Sequence, residues 1–177
     1  MSTHKLAAAA AFALIFAGGT AAADGPGLGK RLSAEELAAW DISVLPDGGN
    51  LPAGSGTPAE GARVFAQKCV ACHGESGRGG ISAALVGGAP LTTISAAQKT
   101  IANFFPYPTT VFDFIRRAMP WQQPKSLTND EVYAVTAYIF ALNKLIGENE
   151  TMNAATLPRV RMPNRDGFIV RFPEKMQ

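Results

Sequence analysis

The chain has 177 residues, 47% of them hydrophobic and 17% charged, with a formal net charge of +2. That length suits one domain with a modest core, and so even a charge balance argues against nucleic acid or a strongly charged membrane surface as partner. Two cysteines and two histidines leave few ways to build a thiol or metal site.

The N-terminus opens with His4 and Lys5, then an uncharged apolar run of 12 residues, Leu6 to Ala17, and small residues from Thr20 to Ala23. This order predicts a secretory signal peptide over residues 1–23, because a membrane-spanning helix needs about 20 apolar residues. Export to the periplasm follows as an expectation, with no membrane span after signal removal. Cleavage would take His4 and Lys5, leaving 154 residues with 15 basic and 14 acidic groups and His73 as the single histidine.

Residues 24–56 read as an N-terminal extension. Within it Ser33-Ala-Glu-Glu36 is a capping box that predicts a short helix through Trp40, followed by a Gly/Pro-rich run. At Thr57-Pro58-Ala59-Glu60 a second capping box carries proline at the first helical position, and Ala62, Phe65, Ala66 and Cys69 recur at helical spacing. That helix delivers its end to "CVACH", residues 69 to 73.

Three chemistries compete for this pentapeptide. A Cys69–Cys72 disulfide would close a very small loop and add little stability, so its use would be redox exchange. Zinc needs four ligands, and the mature chain would offer two thiols and one imidazole. Cys-x-x-Cys-His is instead the attachment sequence of c-type haem: two thioethers to the porphyrin and an adjacent imidazole for the iron. One haem c, attached through Cys69 and Cys72 with His73 on the iron, is the expectation.

Gly74, Gly77, Gly79 and Gly80 follow without a P-loop lysine, so close passage beside the haem edge is their expected use. In "YPTTVFDFIRRAMPW", residues 107 to 121, Thr109 or Thr110 can cap a short helix. Its Val111, Phe112, Phe114 and Ile115 would face the core, and it would end at Arg116-Arg117. Those arginines are either solvated and favoured by the helix dipole or paired with a haem propionate. Thr128-Asn-Asp-Glu131 caps a last helix with Val132, Val135, Ile139 and Leu142 along one stripe and Gly147 as its stop. Residues 146–177 form a C-terminal extension. Trp40, Leu45, Val160, Phe168, Ile169 and Phe172 are apolar groups that disordered tails rarely carry, so both extensions are expected to be ordered.

On these residues the chain resembles the class I cytochrome c family over residues 57–145. The resemblance implies an all-α haem domain in which Gly61 and Phe65 on the first helix pack against Tyr138 on the last. It makes His73 the proximal ligand and Met119, followed by proline and nine residues before Thr128, the distal one. Met152, Met162 and Met176, or an open position, are the alternatives; Met162, also followed by proline, is the main rival. Leu85-Val86-Gly87-Gly88 resembles the family segment whose proline carbonyl orients the histidine, with Ala83 or Ala84 in the proline's place. A neutral thioether ligand would raise the potential and close the iron to oxygen, giving a one-electron carrier without a substrate-transforming site of its own.

"TTVFDFIRRAMPW", "SLTNDEVYAVTAYIFALN" and "MNAATLPRVRMPNRDGF" further resemble the SoxD-type cytochrome subunits of Sox sulfane dehydrogenases and the related sulfite dehydrogenase cytochromes. That resemblance implies a molybdenum-cofactor dehydrogenase subunit as electron donor and a soluble cytochrome as acceptor. The alternative is a freestanding periplasmic carrier or the cytochrome subunit of another dehydrogenase.

Overall fold

A computed structural model of the chain describes residues 28–91 and 98–169. The expected signal peptide, Phe172 and Met176 lie outside the described residues. Two compact units divide at Asp41. The described part of the first holds α1 (Ala34–Trp40), started by the Ser33 capping box: Ser33 Oγ accepts from Glu36 N, and Ser33 N donates to the Glu36 carboxylate at 2.8 Å. No residue of α1 is buried, and Trp40 is 80% exposed.

The second unit, from Ile42 onward, is mostly helical: α2 (Pro58–Lys68), α3 (Val70–His73), α4 (Ile101–Phe104), α5 (Pro108–Ala118), α6 (Asn129–Leu142) and a 3-10 turn, Leu157–Arg159. Its axle is α6. The sequence suggests one apolar stripe, but Tyr133, Ala134, Thr136, Ala137 and Phe140 are buried as well as Val132, Val135 and Ile139. A helix wrapped on several sides needs apolar residues all round. The buried Thr136 hydroxyl donates back to Val132 O at 2.7 Å, so no polar group is left unpaired there.

Contact with α2 depends on small residues. A Cβ at Gly61 would overlap Ala134 O, and one at Gly56 would overlap the Ala134 backbone. Phe65 and Tyr138 meet with ring centroids 5.3 Å apart, the pairing that the cytochrome resemblance implies, and the exposed Ala66 takes no part.

Three local expectations are corrected. The last helix stops at Asn143, where the Asn side chain takes up Ile139 O and Lys144 adopts a left-handed φ of 58°; Gly147 lies beyond the stop. Neither Thr109 nor Thr110 caps α5, because Tyr107 holds the cap position, Pro108 begins the helix, and the buried Thr109 donates instead to Pro46 O. Phe114 is not buried in the core: it is 50% exposed and, one helical turn from Val111, lines a cavity together with Val111 and Ile115.

Both flanks of the haem-domain segment contribute to this unit. Val44 N donates to the buried Asp113 carboxylate at 3.2 Å, Tyr133 OH to Pro52 O at 2.9 Å, and Ser55 N to Asp130 Oδ1 at 2.8 Å. From the other end, β2 (Met152–Asn153) pairs antiparallel with β1 (Ser55–Gly56), matching Gly56 to Met152. Met152, Leu157 and Met162 are fully buried, and the Phe168 ring packs edge-on against Phe104.

Candidate haem site

Beyond Cys69, which closes α2 through its N–H to Phe65 O, the chain turns once more as α3. His73 N donates to Cys69 O at 3.0 Å and Gly74 N to Val70 O at 2.8 Å. One helical turn sets residues i, i+3 and i+4 on a common face, so Cys69, Cys72 and His73 line one cavity together. Gly74, with φ of 79°, ends the turn. A Cβ at Gly80 would overlap Cys72 O and one at Gly74 would overlap Arg78 O, so these two glycines let the loop pack against its own backbone.

The cavity has a volume of about 380 Å³. Its deep wall is aliphatic, from Ile101, Val111, Ile115, Val135 and Ile139; Phe65, Phe104 and Phe105 add rings. The segment Ser82–Leu85 stands beside His73, and Met119, Pro120, Trp121 and Leu127 supply a further wall.

Between Ala83 and Ala84, the geometry selects Ala83: His73 Nδ1 lies 3.0 Å from Ala83 O. A carbonyl only accepts, so Nδ1 carries the proton and Nε2 keeps its lone pair for a ligand in the cavity. Met119, at the C-cap of α5, lines the same cavity. Met152 and Met162, at 2% and 1% exposure, are packed in the core away from it, and Met176 lies outside the described residues.

Burial pushes the Cys69 thiol up to about 11, with Lys68 opposing. A thiol held protonated at neutral pH is a poor partner for disulfide exchange or zinc. Among the described residues, no three His, Cys, Asp or Glu side chains converge as a metal site. Neither Arg116 nor Arg117 lines the cavity. Arg117 pairs with Asp113, and Arg116 donates to Ile42 O at 3.1 Å. The basic groups that do line it are Lys68, paired with Glu131 at 2.7 Å, and Lys99, whose Nζ stands 5.1 Å from the Phe104 ring centre. Sequence reasoning passed over both, since an isolated lysine carries no pattern.

Two thiols on one turn, an imidazole with a free Nε2, a thioether and apolar walls are a donor set that fits a haem. A helical c-type haem domain is the class that fold and cavity define. The family described as cytochrome c oxidase, cbb3-type, subunit III matches residues 56–139. A chain of the sulfane dehydrogenase SoxCD from Paracoccus pantotrophus, known from a crystal structure, is similar at 35% identity with a TM-score of 0.76. The match covers 85% of this chain and 75% of that one. The chain belongs to the cytochrome c family. Membership brings covalently bound haem c and electron transfer, and the likeness to SoxCD supports a cytochrome subunit of a dehydrogenase. Among the described residues, no helix is long and apolar enough to cross a membrane.

Proposed function

We propose that this cytochrome is exported to the periplasm and is the single-haem electron-transfer subunit of a molybdenum-containing sulfane or sulfite dehydrogenase. In that role it accepts electrons from sulfur-compound oxidation, such as that of thiosulfate, and passes them to a soluble cytochrome. The observation that carries this reading is the extent of the likeness to SoxCD. Residues 57–145 are about half of the chain, whereas the match covers 85%, so it includes flanking segments that a minimal cytochrome lacks.

Bound haem supplies a one-electron iron couple. Cys69 and Cys72 would tether it as thioethers. His73 would hold the iron through Nε2, and the Ala83 carbonyl at its Nδ1–H raises the basicity of the imidazole. Met119 would offer a second donor, a neutral sulfur that would favour the reduced state and compete with oxygen for the iron. Val111, Ile115, Val135 and Ile139 keep water from the deep side of the cavity.

A second reading, a freestanding carrier or a subunit of another dehydrogenase, is favoured by one observation. Residues 42–56 and 150–162 have a structural use on the haem unit itself and need no partner to explain them. Gentle purification of the tagged protein from its native source, with assay of haem and molybdenum together, separates the two. Near-equal haem and molybdenum supports the dehydrogenase subunit; haem alone at both low and high salt supports the carrier.

A further inference from the structure

The loop that carries the Ala83 carbonyl is anchored at both ends. On one side Ser82 N donates to Cys72 O at 2.8 Å, within the attachment turn. On the other, Leu85 N donates to Gly77 O at 2.7 Å, and one α6 side chain holds the next groups. Asn143 Nδ2 donates to Leu85 O at 3.2 Å while Asn143 Oδ1 accepts from Gly87 N at 2.9 Å. The same Nδ2 bonds Ile139 O at 2.9 Å, which fixes the amide against the end of α6. An amide offers both donor and acceptor on one rigid plane, so it satisfies a carbonyl and an N–H two residues apart at once. No aliphatic or carboxylate side chain of this size does both.

We infer that Asn143 is a positioning residue for the axial histidine: by clamping Leu85 and Gly87 it holds the Ala83 carbonyl where it orients His73. The inference rests on the reading of His73 as an iron ligand. Releasing the clamp lets residues 83–88 move, weakens the Nδ1–H bond to Ala83, and makes the imidazole a poorer donor to the iron. Ferric iron then loses more stabilisation than ferrous iron, so the potential rises.

The test compares the holoprotein with Asn143→Ala and Asn143→Asp by proton NMR and redox titration. Asp keeps an acceptor for Gly87 but turns a carboxylate oxygen toward two carbonyls. Both variants are expected to show a raised midpoint potential and His73 Nδ1–H exchange with solvent about ten-fold faster, one hydrogen bond's worth. Unchanged exchange and potential in a folded variant overturn the proposal. Should neither variant accumulate, the unmodified protein still decides. Gly87 N–H and His73 Nδ1–H exchanging at matched rates supports a shared opening, and Gly87 exchanging about ten-fold faster contradicts it. His73 ring protons without paramagnetic shifts in the ferric protein would sink the ligand reading itself, an outcome distinct from either.

Discussion

At residue scale the site divides into groups with a covalent signature and groups without one. Cys69, Cys72 and His73 were legible because few chemistries use two thiols and an imidazole at that spacing. Ala83 was legible only as one of two candidates beside Ala84, since any residue offers a backbone carbonyl and only the fold decides which one reaches Nδ1. Met119 stands between these cases: four methionines competed in the sequence, and core burial of Met152 and Met162 now separates two of them from the cavity. Met119→Ala should open the distal position, so that the reduced variant binds carbon monoxide stoichiometrically while the unmodified protein does not. Equal binding by both would remove Met119 as a ligand.

At the scale of elements, capping chemistry was the dependable signal. The boxes at Ser33, Thr57 and Thr128 each begin a helix where the sequence placed it. Thr100, which caps α4 with Asn103, was missed because its box closes with the shorter Asn in place of Glu or Gln. The end of α6 was misread because Asn143 does by side-chain hydrogen bonding what glycine does by conformation. Glu131 joins a cap to an inter-helix bond. Its hydrogen bond to Lys68, helped by Thr128, holds the carboxyl below the ordinary carboxylate range. A depressed acid stabilises the fold above its unfolded pKa, and that contribution fades as pH falls through the folded value. Glu131→Gln should therefore cost about 1 kcal/mol at neutral pH, a difference that shrinks in denaturation curves as pH falls from the ordinary carboxylate range through the lower folded value. Gly61→Ala presses a methyl into Ala134 O, backbone that cannot yield. A cost of about 3 kcal/mol is expected, read as a lowered thermal midpoint with an unchanged haem spectrum in the folded fraction.

For the whole molecule, the all-α haem class was readable from the motifs. The way residues 42–56 and 150–162 close over α6 was not, because short irregular segments bury single side chains without a period to reveal them. The distinction matters for truncation. Deleting residues 146–177 removes Met152, Leu157 and Met162, each fully buried. Losing such a side chain costs about 2–5 kcal/mol against a total stability of about 5–15 kcal/mol, so no folded holoprotein should accumulate. Deleting residues 24–41 removes α1, none of which is buried, and should leave the haem spectrum and thermal midpoint within error of the full chain. A collapsed short-N-terminal variant would show that α1 supports the haem unit.

The most direct measurement of the relay is rapid mixing of the natively purified, oxidised complex with thiosulfate or sulfite while the haem absorption is followed. A subunit that accepts electrons from sulfur oxidation becomes reduced within the time of one turnover, one electron per haem, before any external acceptor is added. A haem that stays oxidised while the complex consumes its substrate would contradict that role.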